Sequence, residues 1–127
     1  MFNVAFNGII TVNRGDSFEL PLMINGGSSL YPTNYQIDNK SYVYLGIMEP
    51  NQPFETALIR KKATLADILI DENGDQVVVF KFKPQETQCV LPGKYYYQIK
   101  LQKFLSEDPE DYTVDTIVDK TLFWILE

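Results

Sequence analysis

Apolar and polar residues alternate with a period of two along most of this chain, the spacing of half-buried strands rather than helices. Gly8 to Asn13 is predicted as a first strand, closed by the turn Asn13-Arg-Gly-Asp16. Phe18 to Ile24 follows, with Phe18, Leu20, Leu22 and Ile24 on one face. Pro21 lies on the other face and cannot donate a ladder hydrogen bond, so this strand has an edge or a bulge there. Residues 26–41 are polar and irregular. Tyr42 to Met48 reads as a strand with Val43, Leu45 and Ile47 inward, and Phe54 to Lys62 as another.

Ala63 to Ile70 fits either a helical turn or a strand, and Asp71 to Asp75 is a turn. In Gln76 to Phe82, Val78, Phe80 and Phe82 share a face opposite Lys81. Pro84 to Leu91 reads as a short helical crossing. Lys94 to Lys103 alternates most cleanly, with Tyr95, Tyr97, Ile99 and Leu101 on one side and Tyr96, Gln98, Lys100 and Gln102 on the other. Tyr112 to Val118, a turn at Asp119-Lys120 and Thr121 to Leu126 read as a closing hairpin. Seven or eight short strands with turn signals between them predict an all-β, antiparallel sandwich of immunoglobulin-like architecture.

At 127 residues, one domain spanning 1–127 is expected, large enough to bury a core without a disulfide or a metal. Eight Tyr and eight Phe strengthen the strand reading. Cys89 is the single cysteine, expected as a small buried residue, so no intrachain disulfide is available. No apolar run reaches the ~20 residues of a membrane helix, and the N-terminus lacks a basic signal region, so neither a membrane nor secretion is expected.

The net charge of −6 makes nucleic acid an unfavourable partner. That charge is segregated. Residues 1–103 carry ten basic and ten acidic side chains, whereas 104–127 carry seven acids against Lys120 alone. The acidic stretch Ser106 to Asp111 reads as a solvated loop or as an electrostatic partner for a basic neighbour.

The chain contains no histidine, which removes the commonest general base, the histidine-dependent nucleophile systems and most zinc sites. Catalysis is therefore not expected, and neither is a cofactor. Asp71, Asn73 and Asp75 imitate the start of a calcium loop, but Gly74 comes one residue early and Phe82 stands where a bidentate Glu is needed. A β-turn with Asn73-Gly74 explains them better. Arg14-Gly-Asp16 spells an adhesion tripeptide that a surface turn also produces by chance.

Two features are more specific. Gly93 two residues before Tyr95, at the entrance to the cleanest strand, is the arrangement of a tyrosine corner, in which the Tyr hydroxyl bonds backbone at the crossing. The second is the run Leu122, Phe123, Trp124, Ile125 and Leu126. Successive strand residues face opposite ways, so these five cannot all reach one core. Taking Phe123 and Ile125 as the outward pair, the outer face is covered either by the N-terminal Phe2 to Phe6 or by another chain.

Thr11 to Phe18, the crossing Gln85 to Gly93, the Tyr95-Tyr-Tyr-Gln-Ile strand and the close around Thr116-Ile117 resemble, in order, the immunoglobulin-like N-terminal domain of phage baseplate upper proteins and related virion proteins. Residues 26–41 have no counterpart, and Cys89-Val-Leu lengthens the approach to the Gly. The resemblance implies a structural protein of a phage tail or baseplate, located in the virion, with other virion proteins or copies of itself as partners. It implies no catalytic residues, and with the chain ending at Glu127 it puts receptor binding on another protein. A carbohydrate-binding sandwich is the alternative, which requires coplanar outward rings such as Tyr42, Tyr44 and Tyr96.

Overall fold

A computed structural model describes residues 3–4, 8–23, 38–70, 72, 74 and 76–127, with side chains described for all of these but 3–4 and 22–23. The described strands, in chain order, are β1 (Asn3–Val4), β2 (Ile10–Asn13), β3 (Phe18–Met23), β4 (Ser41–Met48), β5 (Ile59–Ala63), β6 (Ile68–Ile70), β7 (Gln76–Phe82), β8 (Gly93–Phe104) and β9 (Tyr112–Leu126). One sheet runs β1-β2-β9-β8-β4-β5 and the other β3-β7-β6. That is the partition of an immunoglobulin-like sandwich, with the chain changing sheets between β2 and β3, β3 and β4, β5 and β6, and β7 and β8. Most pairs are antiparallel, but β2 runs parallel to β9, with Ile10 opposite Phe123 and Asn13 opposite Leu126.

The inner faces follow the alternation. Val43, Leu45 and Ile47 of β4 and Tyr95, Tyr97, Ile99 and Leu101 of β8 are buried against Phe18, Leu20, Val78, Phe80 and Phe82 of the smaller sheet. Phe18 stacks on Phe82 at 4.4 Å between ring centroids, and Phe123 meets both Phe18 and Tyr97. Pro21 faces solvent on β3, an edge strand, where its missing N–H costs no ladder bond. Ile24 and residues 26–37 lie outside the described residues.

The crossing is a short helix, α1 (Pro84–Gln88), with proline at its start and Glu86 accepting from the Lys83 N–H at 2.9 Å. Buried Thr87 accepts from the Gly15 N–H at 3.0 Å, and the Arg14 N–H donates to the Leu126 carbonyl at 2.7 Å. Gly15 has φ of 85°, which a side chain would strain. The Arg14-Gly-Asp16 turn thus ties the end of β9 to the crossing. Ala63 to Ile70 resolves into a 3-10 turn, Leu65–Asp67, followed by strand β6; Phe54 to Lys62 begins with a 3-10 turn, Phe54–Thr56, before β5. Cys89, expected inside, is exposed at the end of α1, where the helix turns back to solvent.

The closing hairpin expected at Asp119-Lys120 is not formed. β9 is one strand along its whole length, paired with β8, and the hairpin is the β8–β9 pair closed by residues 105–111. The ladder passes from Tyr97↔Thr121 to Ile99↔Val118 and then Lys100↔Thr116, so β9 carries extra residues at two bulges there. Asp-Lys lacks the glycine that a two-residue turn requires, and a bulge absorbs the irregularity instead.

Candidate docking surface

β9 positions the candidate interface residues. Its burial alternates, with Phe123 and Ile125 each 1% exposed, Trp124 36%, Leu126 43% and Leu122 half-buried. This corrects the expected facing: Phe123 and Ile125 are core, and Leu122, Trp124 and Leu126 form the outward set. The reason is register. Tyr95 and Phe123 are cross-strand partners, and the Tyr95 side turns inward, so Phe123 must follow. Trp124 stands between Lys94 of β8 and Thr11 of β2, and Leu122 stands opposite Tyr96. The N-terminal segment enters beside β2 in the same sheet through Asn3 and Val4; Phe2 and Phe6 lie outside the described residues.

The corner residues set this strand pair. The Tyr95 hydroxyl donates to the Leu91 carbonyl, and Gly93 opens the strand with φ of 156°. Burial, with a smaller contribution from Glu49, pushes the Tyr95 hydroxyl pKa above its ordinary 10.0. Tyr97, wholly buried, donates to the Gly8 carbonyl at 2.6 Å and so fixes the entry to β2 beside β9.

Beyond Leu122, β9 outruns β2. Ladder partners on the β2 side are described only for Phe123 to Leu126, so residues 112–122 pair with β8 alone among the described residues. Bulges and the exposed Asp115, Asp119 and Lys120 blunt this edge against indiscriminate pairing.

The same outer face carries a groove of about 390 Å³ at its other end, lined by Tyr44, Phe54, Glu55, Arg60, Lys100, Gln102, Tyr112 and Val114. The loop after β4 folds Phe54 over Gly46, where a β-carbon would come within 2.8 Å of the ring. Gly46 is therefore the residue that admits the groove wall. Lys100 lies over the Phe54 ring at 4.9 Å, and Lys62 over the Tyr42 ring at 4.3 Å. The ion pairs between described residues are Lys61–Glu86 and Lys103–Asp38, so Arg60, Lys62 and Lys100 have no carboxylate partner among the described residues. Pattern reading missed this groove, because its cations and rings come from strands distant in sequence.

Tyr42, Tyr44 and Tyr96 do face outward, but not as a platform. Tyr42 and Tyr44 are inclined at 46°, Tyr42 meets Phe104 edge-on at 86°, and Tyr96 lies across from Met48. Flat stacking of a sugar needs coplanar rings, which this set lacks. A hollow of about 480 Å³ at the β5 and β6 edges mixes Glu19 and Asp67 with Lys61, Lys62 and Lys81. Among the described residues no three potential ligands cluster for a metal, and no helix is long and apolar enough to cross a membrane. Asp71, Asn73 and Asp75 lie outside the described residues. No family model, curated protein or solved structure matches the chain.

Proposed function

We propose that this domain is a non-catalytic structural protein of a phage virion, in the tail or baseplate, that holds other subunits through the outer face of β9 and the edge where β8 is its sole described ladder partner. The observation that carries the reading is the burial pattern of the last strand. Trp124 and Leu126 remain open to solvent on a sheet face where their neighbours Phe123 and Ile125 are spent on the core. Burying the third of Trp124 and two-fifths of Leu126 still open to solvent would contribute about 0.5–1 kcal/mol each, and tryptophans in such patches are frequent anchors of binding energy. The edge at residues 112–122 adds backbone donors and acceptors for strand addition. The ordered set of motifs from Thr11 to Ile117, similar to baseplate immunoglobulin-like domains, supplies the virion setting.

The test is compositional. Purified particles of the phage that encodes the chain should contain it in a fixed copy number by quantitative mass spectrometry. Cross-links from Lys94 and Lys120, which flank the β9 face and edge, should reach another virion protein. Absence from the particle, or cross-links confined to the opposite sheet, would overturn the proposal.

A further inference from the structure

We infer that the groove beside Phe54 is a self-docking site, filled by the acidic loop of residues 105–111 from a second copy of the chain. This rests on the docking reading only in taking the outer sheet face as the working surface. The groove presents Arg60 and Lys100, with Lys62 next to Tyr44, and none of the three has a described carboxylate partner. Each is laid over an aromatic ring, Arg60 and Lys100 on Phe54 and Lys62 on Tyr42, which holds the charge at the surface in a fixed place. Glu55 is the one acid on the rim, and its backbone carbonyl already accepts from Arg60.

The occupant follows from charge. The chain's whole excess of −6 falls in residues 104–127, and Glu107, Asp108, Glu110 and Asp111 are all exposed at the tip of the β8–β9 hairpin. Among the described residues none of these four acids forms an ion pair with Arg60, Lys62 or Lys100 of its own chain. Lys100 lies four residues back along β8 from Phe104, about 13 Å at the rise of a strand. Yet loop and groove share one end of the face, since Tyr112 and Val114, the first residues after the loop, line the groove. A single two-fold axis beside Tyr112 therefore sets each loop into the other copy's groove, and the two contacts form together or not at all.

Sedimentation of two reversed variants and their mixture tests this. Arg60→Glu with Lys100→Glu makes the groove acidic, and Glu107→Lys with Glu110→Lys makes the tip basic. Wild type should dimerise at low salt and dissociate as salt rises towards 1 M, where screening acts over about 3 Å. Each variant alone should lose at least about tenfold in dimer affinity, because a two-fold contact repeats every repulsion. Mixed one to one, they should recover a heterodimer, with acidic groove against basic tip and the reverse. The tip variant alters only exposed side chains, so its thermal melt should match wild type and keeps the test valid if the groove variant is unstable. A wild type that is monomeric at every salt, a tip variant that dimerises as well as wild type, or a mixture of folded variants that fails to pair would each overturn the inference. A monomer that still enters particles would sink self-docking while leaving the virion role standing.

Discussion

Truncating Phe123 and Trp124 in turn separates the two faces of β9. Phe123 is 1% exposed and packs against Tyr97, edge-on at 6.3 Å, and against Phe18, itself stacked on Phe82. Phe123→Ala removes a ring from the meeting point of both sheets. The loss should be about 3–5 kcal/mol, as for other buried aromatics truncated to alanine. For a domain of this size each kcal/mol moves the melting temperature by roughly 3–5 °C, so a fall of about 10–25 °C is expected. Phe123→Lys places an unpaired charge in that core and should leave the chain unfolded. Trp124, a third exposed and two-thirds covered by the strands beside it, should cost less, about 1–2 kcal/mol as Trp124→Ala. Urea unfolding followed by circular dichroism gives both values from the midpoints, provided the slopes agree. Equal losses at the two positions, or a larger one at Trp124, would refute the assignment of faces.

Tyr97→Phe deletes a hydroxyl whose partner, the Gly8 carbonyl, is buried, and should cost about 1–3 kcal/mol in the same urea assay. Gly46→Ala should destabilise by roughly 1–3 kcal/mol, since the new methyl strikes the Phe54 ring, and Phe54→Ala in the same chain should recover part of that. The raised Tyr95 pKa fixes the sign of an alkaline effect: the unfolded chain ionises first, so the contribution is full below pH 10.0 and is lost as pH climbs through the folded value. Melting temperature against pH should therefore fall more steeply above pH 10 in wild type than in Tyr95→Phe; parallel curves would contradict this.

Much of the sandwich was legible because its signal is local. Val78, Phe80 and Phe82, or Tyr95 to Leu101, declare their inner face through alternation alone, and Gly93 with Tyr95 marks the corner. What failed was non-local. Nothing near Asp119-Lys120 says that a bulge opposite Ile99 replaces a turn, because that depends on pairing with β8. The facing of Phe123 and Ile125 was lost for the same reason: in an all-apolar run only cross-strand register decides which set turns inward. The parallel alignment of β2 with β9, and the groove gathered from β4, β5, β8, β9 and the Phe54 turn, likewise arise from tertiary placement.

The central claim is that the outward set of β9 is a docking surface, and particle incorporation of a Trp124→Lys, Leu126→Lys double variant tests it most directly. Both side chains keep more than a third of their surface in solvent, so the double variant should stay folded, with a melting temperature lowered by about 5–15 °C by the scaling above. Phage supplied with an equal mixture of wild-type and variant chains should take up wild type almost exclusively, measured by mass spectrometry of purified particles. Uptake of the two in equal amounts by a folded variant would contradict the account.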